Sequence, residues 1–164
     1  MFQVPKNILA LSPHTDDIEI GCGGTLKKFS DLGSNIHVIN YSLSYNGNQV
    51  APNIENEFKQ SMKLLGATYE MLKLPIRQLE LHRQQILEHM ISVGKQTNFD
   101  LIFCHSSYDN HQDHQTIQQE AFRAFKHKTI LGYELPWNCR QFSTDVFIQL
   151  SEEDIKFKEK LIRV

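Results

Sequence analysis

Residues 7–25 read NILALSPHTDDIEIGCGGT. The opening run, NILALS (7–12), is short, apolar and followed at once by Pro13, which suits a strand buried on both faces. It gives way to His14, Thr15, Asp16 and Asp17, then to a run containing Gly21, Gly23 and Gly24. GTLKKFSDLG (24–33) is predicted to be a helix that closes at Gly33, a residue able to take the left-handed backbone of a helix end. A strand, a polar turn and a helix in that order make the first half of a β-α-β unit.

The pattern repeats along the chain. NIHVINYSL (35–43) is a predicted strand, and NGNQ (46–49) with Pro52 marks a loop. IENEFKQSMKLLG (54–66) places Ile54, Phe58, Met62 and Leu65 on one helical face and stops at Gly66. Strands are expected at 68–75, 100–106, 129–135 and 145–150, and helices at 79–96, 114–126 and along the tail after Ser151. Regular alternation of this kind implies an α/β, Rossmann-like three-layer α/β/α sandwich with a mostly parallel sheet, expected in the order 3-2-1-4-5. The length of 164 residues fits a single domain, 1–164.

Composition removes several functional classes. Lys and Arg number 17 against 19 Asp and Glu, a net charge of −2. Such a balance offers no footprint for nucleic acid or for anionic lipid. Cys22, Cys104 and Cys139 are an odd set with no CxxC pair, which argues against both a disulfide framework and a thiolate metal cage. No apolar run reaches membrane-spanning length and the N-terminal run is too short for a secretion signal, so a reduced, cytoplasmic setting is expected.

Ligands of open, doubly wound sheets bind beyond the carboxyl ends of the strands, where the strand order reverses. In the expected order the first and fourth strands are neighbours there. His14, Asp16 and Asp17 leave the first strand, and HSSYDNHQDH (105–114) leaves the fourth, so the two densest polar clusters should face each other. A catalytic zinc site takes three nitrogen or oxygen ligands and keeps one position open. His14, Asp17 and His114 would supply two imidazoles and a carboxylate. Asp16 is then free as general base, because a bound divalent ion lowers the pKa of water. His111, one helical turn before His114, is placed to stabilise an oxyanion or to act as acid when protonated. Asp113 or Asp109 would orient it. The donor set suits Zn²⁺ but also Fe²⁺ or Mn²⁺.

Together the two segments resemble the LmbE/PIG-L family of zinc-dependent sugar de-N-acetylases. Its first motif, P/A-H-P-D-D-E/V-x-x-G-x-G-G-T, stands here as PHTDDIEIGCGGT, and its second, D-x-H-x-D-H, as DNHQDH at 109–114. Echoes continue at LLG (64–66), LGYELP (131–136) and DVFIQLSEEDIKFKEKL (145–161). The resemblance implies an LmbE-like fold, His14, Asp17 and His114 as zinc ligands, and Asp16 as base. It implies His111 beside the tetrahedral intermediate with Asp113 as its partner, and hydrolysis of an N-acetyl group from a small amino sugar or glycoconjugate of the GlcNAc type. Thr15, Asp109, Trp137 and Arg140 are the candidate substrate contacts. Thr15 stands where the family usually has Pro, and Ile54 where many members carry a substrate-contacting Arg. Members commonly continue beyond the position of Val164, so the wall of the sugar pocket is expected to be short, a reason for a homo-oligomer to lend a surface.

Blander readings compete. An Asp pair after a strand is most often a helix cap; the second cluster opposite it weighs against that. GCGGT lacks the GxGxxG spacing, since Leu26 holds the sixth position from Gly21, and no GK[ST] follows, so it is not a dinucleotide or P-loop cradle. The glycines would instead let the loop pack close to the metal. A catalytically silent sugar-binding protein on the same fold, or a metallohydrolase of another amide, remain as alternatives.

Overall fold

In the computed structural model the described residues are 3–43, 45, 46, 49, 50 and 52–164. Five strands, β1 (Asn7–Ser12), β2 (Asn35–Asn40), β5 (Thr68–Met71), β6 (Leu101–His105) and β7 (Thr129–Tyr133), form one sheet in the order β5-β2-β1-β6-β7. Every pairing in it is parallel. Counted within the sheet alone this is the expected 3-2-1-4-5. Residues β3 (Tyr45–Asn46) and β4 (Gln49–Val50) pair as a separate antiparallel ribbon. Residues 47, 48 and 51 of the expected loop lie outside the described residues.

Strand residues alternate between two apolar layers. Ile8 and Ala10 of β1 join α1 (Asp17–Asp31), α2 (Ile54–Leu65) and α5 (Glu152–Ile162) through Ile18, Leu26, Phe58, Met62 and Leu161. Leu9 and Leu11 point the other way, to α3 (Arg83–Gln96) and α4 (Gln112–Ala124), meeting Ile86, Met90, Ile117 and Ala121. Burial on both faces is why these strands read as continuous apolar runs.

Three expectations are corrected. The first helix begins at Asp17, so Gly21, Gly23 and Gly24 lie inside α1 and not in a loop near the metal. They are there for close packing: a Cβ on Gly21 would stand 2.2 Å from Cδ2 of Tyr133, and one on Gly24 would stand 2.7 Å from Cδ1 of Leu150. Tyr133 cannot retreat easily, because it is buried and its hydroxyl donates to the Leu11 carbonyl at 2.8 Å. Gly21→Ala is therefore expected to destabilise the fold by about 1–3 kcal/mol, despite the better helix propensity of alanine; thermal or urea unfolding checks it. The expected helix at 79–96 begins as a 3₁₀ turn, Leu79–His82, before α3. Residues 145–150 form no strand: Gln149 accepts from Lys28 Nζ at 2.5 Å and Leu150 lies against Gly24, so this apolar run crosses α1 and leaves the outer edge of β7 unpaired.

Candidate metal centre and active site

β1 and β6 are neighbours, and their carboxyl ends deliver His14 and His105 to the same crevice. α1 and α4 both start there, so two helix N-termini face it. That is the topological switch point, and it brings together two segments nearly a hundred residues apart in sequence.

The histidines are fixed by carboxylates. His14 Nε2 donates to Asp113 Oδ2 at 3.0 Å, and His114 Nδ1 donates to Asp109 Oδ2 at 2.9 Å. Each bond sets one tautomer and turns the remaining ring nitrogen inward. The inward atoms, His14 Nδ1 and His114 Nε2, lie 3.2 Å apart. Asp17 completes the triangle: Oδ2 is 3.3 Å from His14 Nδ1 and Oδ1 is 3.3 Å from His114 Nε2. Asp17 is itself held by the His14 backbone N–H at 2.7 Å.

These separations fit a metal ion. Bonds of ~2.0 Å place the corners of a tetrahedral site roughly 3.3 Å apart. Two neutral imidazoles with lone pairs facing each other would also repel unless a proton or a cation lay between them. Two other triplets of ligand-type atoms lie within 4.8 Å, His14 with His111 and His114, and Asp17 with His105 and His114. Ring orientation disfavours both. His105 stacks on His114 with centroids 3.6 Å apart and planes 17° from parallel, and His111 stacks on His114 at 4.4 Å and 27°. Lone pairs in nearly parallel ring planes run side by side and do not converge. His14 and His114 are tilted by 50°. Ring orientation therefore favours His14, Asp17 and His114 as the candidate set.

The surrounding carboxylates also favour positive charge at this place. Burial pulls the His14 imidazole down, but its bonds to Asp113 and Asp17 outweigh burial and lift it to about 9. Burial opposes ionisation of Asp17, yet contacts with His105 and His14 hold its carboxyl far below the usual range. A proton on His14 and a metal ion on its Nδ1 exclude each other. Ion binding must displace it, so metal affinity is expected to climb about tenfold per pH unit towards pH 9 and then level off, as proton-release calorimetry would show. In chelator-treated protein the sign reverses. The folded value of about 9 exceeds the ordinary 6.5, so this contribution to stability is full below pH 6.5 and is lost as pH rises through about 9.

Asp16 is the N-cap residue of α1, but its side chain makes no capping bond. Desolvation by the surrounding protein, then the charge of Asp17, raise its carboxyl. It is exposed, so it is both accessible and more basic than an ordinary aspartate. His111 is the N-cap of α4, and its Nδ1 accepts from the Asp113 N–H at 3.2 Å. Burial, and then the neighbouring His114 and His14, push its imidazole down to about 4. It is neutral at pH 7 and carries its proton on Nε2. In this state it offers a neutral Nε2–H as donor.

Two partner assignments change. The Asp113 carboxylate serves His14, not the His111 ring, and accepts from the Arg77 and Leu79 backbone N–H groups at 2.6 and 3.2 Å. Asp109 is only 1 % exposed and grips His114 together with the His111 N–H at 2.8 Å, so it cannot touch a substrate. Thr15 is buried and lines a cavity of about 110 Å³ with Asp16, Glu19 and Glu57. Trp137 and Arg140 are exposed on the loop after β7, which is tied to the second motif where Asn138 O accepts from Asn110 N at 3.1 Å. His105 had no assigned role. It lies buried 3.4 Å from Asp17 Oδ2 and 3.2 Å from Asp109 Oδ2, wedged between the two carboxylates. Its place at the end of the fourth strand was the one signal available. A groove of about 1120 Å³ lies at the opposite ends of the strands beside Lys6, Asn7, Asp100 and Thr129 and touches none of these groups.

Known proteins resemble this chain in sequence and in fold. Uncharacterized deacetylase YaiS of Escherichia coli (strain K12) is 28% identical over 156 residues, covering 90% of this chain and 84% of that protein. N,N'-diacetylchitobiose deacetylase from Pyrococcus horikoshii superposes with a TM-score of 0.79 at 20% identity, over 97% of this chain and 69% of its own. GalB, the 4-carboxy-2-hydroxymuconate hydratase of Pseudomonas putida KT2440, reaches 0.74 at 17% identity, over 96% and 78%. At such identities the likeness is one of fold, and a fold hosts several chemistries. Membership rests on sequence: the profile of the PIG-L family, described as GlcNAc-PI de-N-acetylase, matches residues 9–125, which hold both halves of the site, and the chain belongs to that family.

Proposed function

We infer that the protein is a metal-dependent hydrolase that removes the acetyl group from an N-acetylated amino sugar, with zinc as its ion. The observation that carries this reading is the triangle of His14 Nδ1, Asp17 and His114 Nε2, with edges of 3.2, 3.3 and 3.3 Å, beside an uncapped Asp16. A divalent ion held there polarises an acyl oxygen and lowers the pKa of water.

The protein's own groups supply the rest. Asp16 takes a proton from the attacking water as its oxygen bonds to the acetyl carbon. His111 donates its Nε2–H to the acyl oxygen as negative charge develops. The C–N bond then breaks, and the proton held by Asp16 passes to the leaving nitrogen, giving acetate and a free amine. His111, neutral at pH 7, has no spare proton for that last step. Asp113 and Asp109 keep the two ligand rings in register.

Buried, free Cys22 and Cys104 support a reducing, cytoplasmic setting for a single domain of this kind. No helix among the described residues is long and apolar enough to cross a membrane. Acetate release from a panel of N-acetyl sugars, with and without chelator, tests the proposal. Release that survives complete removal of metal would overturn it.

A further inference from the structure

Asn110 stands between Asp109 and His111 of the second motif and is exposed, yet its side chain is turned to another part of the chain. Its Nδ2 donates to the Asn138 carbonyl at 2.8 Å, and its backbone N–H donates to the same oxygen at 3.1 Å. One residue thus takes both lone pairs of a carbonyl 28 positions further on. The clamp is continued by Asp109, which pairs with Cys139 as an antiparallel bridge. Asp109 Oδ2 in turn accepts from His114 Nδ1 at 2.9 Å, so the clamped segment is joined to a candidate metal ligand through one carboxylate.

The clamped segment is a tight turn beyond the carboxyl end of β7, the same end of the sheet as the ion site. The Asn138 N–H donates to the Leu135 carbonyl at 2.9 Å across Pro136 and Trp137. Proline in the second position of such a turn fixes its backbone in advance. Leu135 is buried and anchors the base, while Trp137 in the third position is 68 % exposed. Exposed loops ordinarily move more than the elements they connect. This one is tied down at its base and at its far corner, which keeps an indole at a set place relative to His114. A rigid indole offers a large flat surface at low entropic cost, suited to the apolar face of a sugar ring. Removing the Asn110 side chain would leave the turn itself intact, since Pro136 and the bond to Leu135 remain, but would loosen it from the motif.

We propose that Asn110 is a positioning residue that fixes the Leu135–Asn138 turn as a wall of the sugar site, with Trp137 as its contact face; this rests on the deacetylase reading above. The test compares metal-loaded wild type with Asn110→Ala and Asn110→Asp on N-acetylglucosamine and its β-1,4-linked dimer, both neutral. Aspartate keeps the shape of the side chain but sets a carboxylate against the Asn138 carbonyl. Both variants should raise KM roughly 3–10-fold. In both, kcat should stay within about twofold and metal content should hold, because Asp109 keeps its own bonds to His114 and to the His111 N–H. Trp137 is the only tryptophan of the chain, so its fluorescence anisotropy reads the turn directly and should fall in both variants. In a Trp137→Ala background, Asn110→Asp should add less than about twofold to KM, since the two residues act through one turn. An unchanged KM, a loss carried by kcat or by metal content, or fully additive effects of Asn110→Asp and Trp137→Ala would overturn the proposal. If wild type releases acetate from neither sugar, the deacetylase reading fails. Anisotropy then judges Asn110 on its own: a fall in both variants upholds its hold on the turn, and no change overturns it.

Discussion

Asp16→Asn is expected to keep its metal and to lower kcat roughly 10²–10⁴-fold, the usual contribution of a positioned general base. The two halves of that outcome have separate causes. Asn is nearly the same shape and is a good helix N-cap residue, so the start of α1 should survive. The native side chain makes no capping bond to lose. Metal content should hold, because the donor triangle is made by His14, Asp17 and His114 without it. What disappears is a group able to take a proton from water and return it to nitrogen. The raised carboxyl of Asp16 makes it a better proton acceptor than an ordinary aspartate, and an amide has no comparable basicity. Acetate release beside elemental analysis of the same preparation checks it. Full turnover in the variant would remove Asp16 from the reaction.

Asp17→Asn, one residue on, is expected to lose the metal instead. Asp17 is 3 % exposed and, among the described residues, is the only carboxylate touching both inward nitrogens, His14 Nδ1 and His114 Nε2, at 3.3 Å each. Removing its charge takes away one ligand and the electrostatic reason for a cation to enter. Asp113→Asn acts one bond further out, since the rotated ring of His14 can still bind. A loss of about 10–100-fold in affinity is typical of such outer partners. Metal affinity should therefore rank wild type above Asp113→Asn, and Asp113→Asn above Asp17→Asn, by competition with a calibrated chelator. A larger loss in Asp113→Asn than in Asp17→Asn would mean that Asp113 and not Asp17 faces the ion. In chelator-treated protein both variants should also melt earlier at neutral pH, because each removes a partner of protonated His14.

Local sequence was sufficient wherever a pattern has one physical outcome. Apolar runs such as NILALS and LIFC, separated by amphipathic stretches, can be buried on both faces only by helices on either side, which forces the parallel sheet and its switch point. The switch point sets His14 and Asp17 after β1 opposite His111 and His114 after β6. The apolar run at 145–150 misled because pairing needs a partner at the right register. Here Leu150 and Gln149 are drawn to Gly24 and Lys28 of α1.

The donors proposed for the metal were already named by the two motifs, since the residue types and their places after two strands decide which donors can meet. Which carboxylate serves which histidine was decided only by the tertiary structure. Asp113 sits two residues from His111 in sequence, yet its carboxylate reaches across to His14, while Asp109 turns beneath His114. Helix α4 begins at Gln112, and its first turn directs each side chain away from its sequence neighbour. Arg77 was invisible for the same reason. Nothing in the string LPIRQL shows that its fourth residue adopts a left-handed backbone or that its N–H donates to the Asp113 carboxylate, because that partner is 36 residues away in sequence.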